Sequence, residues 1–287
     1  MLSTIRRHES KAHLADLGVT GGLATKIATA EHRIAAAKGL PSGTPLLTLR
    51  LGNKGSGDPL FAAAPDDDKA VTFKAYDRNG RAHELATAKA PDRPVLLVDV
   101  DVERAVNLGM EVIRQAMPAP KVAAAGYWAT QITRVRVSDV QEPWFKGDAE
   151  IFTLVSGFGL DGTVRVDPVT MPYLDEEDTT YSPNQLLVHW NVYKYDLADV
   201  VMMEDDGDTN YKALAQALIA ALLTIVDGGA YIPLVSAVFD AILDGWYTDD
   251  PDYVESWYTL AEQGSGVRNG ASGRGWIGTR PYWVREL

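Results

Sequence analysis

Alternating acidic and amide side chains raise the first chemical question. Asp206, Asp208 and Asn210 stand in the run Glu204-Asp205-Asp206-Gly207-Asp208-Thr209-Asn210. Oxygen ligands at alternate positions can fold around one hard cation, and D-x-D-x-N opens many calcium-binding loops. The helix–loop–helix form of such a site fails here. Tyr211 stands where its turn needs glycine, and Ala217 where it needs a bidentate glutamate. A composite site remains. Asp175 opens an acidic turn, and Asp250 and Asp252 follow an apolar helical pair read at residues 211–243. If that pair is inserted between adjacent strands, its two acidic flanks lie together. The candidate ligand set for Ca²⁺ is then Asp206, Asp208, Asn210, Asp250, Asp252 and Asp175. Clustered carboxylates repel one another unless water or a cation neutralises them. The same residues also fit plainer roles. Asp208 or Thr209 can cap a helix starting near Tyr211, and Asp250-Pro251-Asp252 can be an ordinary turn.

A second candidate is Val95-Leu96-Leu97-Val98-Asp99-Val100-Asp101. An apolar strand ending in D-x-D is similar to haloacid-dehalogenase-like phosphotransferases. That similarity implies Asp99 as nucleophile and Asp101 as general acid beside Mg²⁺. The Gly-Thr that usually follows is Val102-Glu103 here, and a helix N-cap explains Asp101 equally well. The helical pair at 211–243 has a third use, as a membrane-inserting hairpin of a pore-forming or toxin-like protein. Each helix is too short to span alone, and Asp240 and Asp244 mark a wet face, so a core hairpin is the simpler reading. Trp128, Trp144, Trp190, Trp246, Trp257, Trp276 and Trp283 fit core packing, and any exposed ones fit stacking on sugars.

Other chemistries lack their residues. With no cysteine, thiolate zinc sites, disulfides and cysteine nucleophiles are excluded. The sequence has no G-x-S-x-G, no H-E-x-x-H and no Walker A loop. Of the five histidines, His8 and His13 lie near the N-terminus, and His189, beside Trp190 in a strand, reads as a packed or edge residue. Enzymatic activity is therefore not assigned, and the balance leans against it. The net charge of −12 and pI near 4.8 argue against nucleic acid and anionic lipid as partners. No apolar run approaches the length of a transmembrane helix, and no apolar stretch follows Arg6-Arg7 as a signal peptide would require.

These candidates need elements to position them. Leu23, Ile27, Ala30, Ile34 and Ala37 recur at helical spacing, with Gly39 and Pro41 as a stop. Residues 46–51 read as a strand and 52–69 as a loop. Residues 70–76 and 81–85 form a hairpin about Asn79-Gly80. A buried-type strand at 95–101 leads into an amphipathic helix at 103–117, and 130–137 alternates as a strand. Beyond Pro143 come short strands at 149–156, 164–171, 186–193, 200–204, 253–260 and 276–284, with a Gly/Ser-rich loop at 264–275. The chain is slightly basic up to residue 140 and strongly acidic after it. The expected fold class is α+β: a small α+β domain at 1–140, with N-terminal helices, followed by an acidic β-sandwich at 141–287 carrying the inserted hairpin.

The second half also carries a resemblance. Gly147-Asp148-Ala149-Glu150-Ile151-Phe152, Met171-Pro172-Tyr173-Leu174-Asp175, Tyr181-Ser182-Pro183-Asn184-Gln185, the acidic stretch ending at Asn210-Tyr211, and Asp252-Tyr253-Val254 resemble a bacterial family of unknown function catalogued as DUF3103. The resemblance runs from about residue 45 to the end. It implies an exported, extracellular protein and carries over no catalytic residue. The order of strands and acidic loops is also similar to calcium-binding C2-like sandwiches, which lack the helical hairpin. The expected function is a secreted, non-enzymatic binding protein whose acidic loops are ordered by Ca²⁺ and whose ligand is a protein, glycan or lipid. The membrane-active protein and the Mg²⁺-dependent phosphatase using Asp99 and Asp101 are the alternatives.

Overall fold

The computed structural model describes residues 11–65, 70–118, 126–138, 144–146, 149–205, 207, 209–222, 224–245 and 252–285. The chain divides into two compact units. One comprises residues 1–105 with 141–148, the other 106–140 with 149–287. The described residues form helices and strands in three sheets, a mixed α+β protein as the sequence predicts.

The first unit begins with β1 (Lys11–His13) and α1 (Gly21–Ala37), followed by β2 (Leu47–Leu51), β3 (Leu60–Ala63), β4 (Thr72–Tyr76), β5 (Ala82–Ala86) and β6 (Val95–Val100). The strands make one six-stranded sheet in the order β1-β2-β6-β3-β4-β5. Its hairpin forms at the predicted place. Tyr76 pairs with Ala82, Gly80 takes φ +76°, and Asp77 Oδ1 accepts the N–H groups of Asn79 and Arg81. These bonds, that from Arg81 foremost, pull the Asp77 pKa down. Strand β3 lies inside the stretch expected to be loop. It pairs in parallel with β6 and buries Leu60 and Ala62 in alternation, a pattern too short to stand out beside its Gly/Pro-rich neighbours. In α1 the buried positions are Ile27, Glu31 and Ala35, whereas Leu23 is exposed. The helix turns this way because Glu31 Oε1 accepts the backbone N–H groups of Leu46 and Leu47, each at 3.2 Å. Trp144 and Phe145 close one side of the sheet by packing on Phe73.

The unit boundary falls within α2 (Val102–Ala116). The second unit then holds β7 (Tyr127–Val137), β8 (Ile151–Phe158), β9 (Val164–Thr170), β10 (Gln185–His189), β11 (Leu197–Glu204), α3 (Tyr211–Leu222), α4 (Val235–Gly245), β12 (Asp252–Ala261), β13 (Gly266–Asn269) and β14 (Gly275–Val284). The strands form two four-stranded sheets, ordered β10-β7-β14-β13 and β12-β11-β8-β9. Both contribute to one core: Ile132, Val135, Leu187 and Ile277 from the first meet Ile151, Val155, Val200, Met202 and Trp257 from the second. Two sheets burying apolar faces against each other make a sandwich. Helices α3 and α4 interrupt the chain between the adjacent antiparallel strands β11 and β12, so they are an insertion, as the sequence predicts. Their buried faces (Leu214, Ala215, Leu218 and Leu222; Val235, Val238, Ala241 and Ile242) are core surface. Among the described residues no helix is long and apolar enough to cross a membrane.

Buried carboxylates fix this unit. Asp199 on β11 accepts Leu234 N at 2.5 Å and Thr259 N at 2.7 Å, tying the α4 entry to β12. Asp227 in the interhelix loop accepts Lys194 Nζ, Tyr195 Oη and Gly229 N, which holds its carboxyl down to about 2. Glu255 on β12 accepts the N–H groups of Ser256, Ser272, Arg274 and Gly275 at 2.8–3.0 Å. The segment expected as a loop at 264–275 therefore contains β13 and is clasped against β12. Gly270 is required there, since a Cβ would stand 1.9 Å from the Glu255 carboxyl carbon. Glu255→Ala strands these buried donors and is expected to lower unfolding free energy by about 2–4 kcal/mol. It should also speed hydrogen exchange at Ser272, Arg274 and Gly275. Denaturant unfolding and exchange rates equal to wild type would refute this role.

Candidate functional site

Asp206, Asp208 and Asp250 lie outside the described residues, as does Trp246. The other expected ligands can be placed. Glu204 pairs in register with Asp252 across β11 and β12, so the two flanks of the helical insertion do meet at one end of the sandwich. Asn210 caps α3: its Oδ1 accepts Ala213 N at 3.0 Å and its carbonyl accepts Leu214 N. Asp205 is buried, and its two oxygens accept Gly207 N at 2.8 Å and the Tyr211 hydroxyl at 2.5 Å. Asp175 lies in the connection after β9 that runs onto β7, where Asp178 N donates to Val137 O and Tyr181 bridges to Val135. Asp175 Oδ1 accepts the Tyr181 hydroxyl at 2.6 Å, and burial and then this bond push Tyr181 up to about 12. Among the described residues no three acidic or histidine side chains converge as a metal site would require.

In the first unit, Asp99 and Asp101 are occupied by structural partners. Asp99 Oδ2 accepts Arg50 Nε at 2.9 Å and Nη2 at 2.7 Å, and Oδ1 accepts Val100 N. Asp101 accepts Arg104 N at the start of α2 and pairs with Lys11 and His13. Strand β6 runs antiparallel to β2 and parallel to β3. These contacts account for Asp99 as half of a cross-strand ion pair and Asp101 as a helix cap.

A different group of polar residues surrounds a cavity of about 460 Å³ in the second unit. It opens between β9 and β10, the edge strands of the two sheets, and is completed by Arg114 of α2 and the turn at Trp190–Val192. A strand points alternate residues to one face, so Arg165 and Asp167 of β9 stand side by side. Asp167 Oδ2 accepts Arg165 Nε and the Tyr193 hydroxyl, both at 2.7 Å, and Oδ1 accepts Arg165 Nη2. Burial and the Asp167 charge drive the Tyr193 pKa well above its ordinary value, so it stays a donor. Gly157 makes room for this ring, because a Cβ there would lie 2.6 Å from it. Arg114 Nη2 donates to Pro168 O at 3.1 Å and Nη1 to the exposed Glu111. Helix α2 is seated by Gly109, whose missing side chain admits the buried ring of Tyr211.

On the β10 side, Tyr127 Oη and His189 Nδ1 lie 2.9 Å apart. Partial burial draws the His189 pKa down, opposed by Asp167, although the residue as a whole stays exposed. Gln185 is held by Tyr173, at 2.6 Å, and by Thr170 O. Asn191 Oδ1 is buried without a hydrogen-bond partner. The cleft thus presents polar groups already oriented by one another and by backbone, which suits recognition.

The spacing of these residues in the sequence does not mark them as a group. His189, expected as a packed or edge residue, lies on the edge strand β10, and its cleft partners come from β7 and β9. The legible signal was Arg165-x-Asp167, two opposite charges on one face of an otherwise apolar strand. Trp190 and Trp257 are buried as predicted, whereas Trp128 and Trp283 are exposed and meet edge-on at 5.2 Å. His189 is expected to titrate below the usual 6.5, and Asp167→Asn should lower it further by removing the charge that favours the imidazolium. Proton NMR of the imidazole checks both; a rise on substitution would contradict the assigned geometry.

No curated protein and no solved structure matches the chain. The family model described as a protein of unknown function, DUF3103, matches residues 2–286, nearly the whole sequence. The chain therefore belongs to the DUF3103 family.

Proposed function

We propose that the protein is a non-enzymatic binding protein whose ligand seat is the cleft between β9 and β10. One observation carries this reading: Arg165, Asp167 and Tyr193 are locked together around a cavity of about 460 Å³, within the size range of small-molecule sites. The donors are oriented before any ligand arrives, which lowers the entropy cost of binding. The seat rests on two sheets with a common core, so its walls are held by strands. A panel of sugars, sugar phosphates, amino acids and small carboxylic acids tests the proposal by NMR. A true ligand shifts the His189 and Tyr127 ring signals in a saturable way. A panel that leaves both rings unmoved removes the seat.

Calcium at the acidic corner is a second reading. It is favoured by the register of Glu204 with Asp252, which brings the flanks of the helical insertion together. Acidic residue types at two paired strand ends suit a hard, oxygen-seeking cation. An ion bound only by the folded state raises stability by RT ln(1 + [L]/Kd), about 2.7 kcal/mol at a hundredfold excess over Kd. The expected result after EDTA treatment is a rise in melting midpoint with Ca²⁺ that Mg²⁺ does not match and Asp252→Asn abolishes. An unchanged midpoint discards calcium and leaves the cleft untouched.

A further inference from the structure

We infer that the cleft recognises a small oxyanion, a carboxylate or phosphate group carried on a compact polar molecule and held between Arg114 and Arg165. The inference rests on the cleft being the ligand seat and adds the class of ligand.

The argument is a balance of donors, acceptors and charge. Asp167 is the one carboxylate among the described lining residues. Both its oxygens are taken, by two Arg165 nitrogens and the Tyr193 hydroxyl, so it has little left to offer a ligand cation. The two guanidiniums are not exhausted. Arg165 donates through Nε and Nη2 to Asp167 and only at 3.4 Å through Nη1 to Pro118 O. Arg114 bonds one carbonyl and one solvent-exposed glutamate, a pair worth little in water. Each guanidinium therefore retains N–H groups, and its planar fork matches a carboxylate or phosphate.

The opposite wall also donates. Tyr127 and a neutral His189 share one hydrogen bond. If the tyrosine donates, His189 Nε2 carries a hydrogen; if Nδ1 donates, the tyrosine hydroxyl hydrogen is available. Either arrangement leaves one donor on the pair. A donor-rich cleft with surplus guanidinium capacity, in a protein of net charge −12, is a local inversion of the overall charge. Its complement is an acceptor-rich anion.

Calorimetric titration of the full chain with glucose 6-phosphate, glucuronate, inorganic phosphate and neutral glucose tests this. The expected result is saturable binding of at least one anion, no binding of glucose, and weakening as NaCl rises from about 50 to about 500 mM. Whichever of glucose 6-phosphate and glucuronate binds more tightly assigns the head group. Arg114→Gln should weaken anion binding about tenfold, as expected for one lost charge-assisted contact. Arg165→Gln combined with Asp167→Asn should do the same without leaving a lone carboxylate, with melting midpoints confirming that both variants fold. Glucose binding as tightly as its phosphate, or anion affinity unchanged in both variants, overturns the inference. A neutral or cationic compound that alone shifts His189 overturns it too, while leaving the binding seat standing. If none of the four compounds binds, the anion inference falls, and the seat itself stands or falls with the wider NMR panel.

Discussion

Carboxylates taken out of water govern the second unit. Asp199, Glu204, Asp205 and Glu255 are all buried, on or beside the neighbouring strands β11 and β12. A buried charge is tolerated only where donors replace the lost water. Asp199 and Glu255 find theirs in backbone N–H groups distant in sequence, at Leu234, Thr259, Ser272 and Arg274. Each such bond satisfies a donor that no strand ladder reaches and fastens an irregular segment to the sandwich. Thr259, held by Asp199, sits at φ +51°, a strained position for a branched residue.

The cleft follows the same logic one step nearer the surface. Asp167 is to Arg165 and Tyr193 what Asp199 is to its backbone partners, an acceptor that sets the position of what surrounds it. The difference is exposure. On β9, an edge strand, the carboxylate and its guanidinium face a cavity that solvent can enter. Glycines then set how closely the walls approach. Gly157 admits the Tyr193 ring and Gly109 the Tyr211 ring, so the position of Arg114 on α2 depends on a residue that contributes no side chain.

Most elements were legible because their periodicity is strong. The hairpin at Asn79-Gly80, the apolar run of β6 and the helical pair all appear where pattern and turn chemistry put them. Strands β3 and β13 were missed for one reason. Each has four residues inside a Gly-rich stretch and becomes a strand only through a partner, β6 for one and β14 for the other. The buried face of α1 was misjudged by a related mechanism. Hydrophobic spacing pointed to Leu23, whereas the acceptor demand of Leu46 and Leu47 drew Glu31 inward.

The sequence by itself determined the fold class, the inserted hairpin, the net negative charge and the family, because local pattern, composition and motif carry those. It also placed the two acidic flanks of the hairpin together, since an insertion between paired strands must return to its start. Tertiary structure alone decided that Asn210 caps a helix, that Asp99 and Asp101 serve ion pairs and a cap, and that Arg114, Arg165, Asp167 and His189 share one cavity. Residues from α2, β9 and β10 are brought together by sheet order and helix docking, and no local spacing encodes which strands stand at the edges.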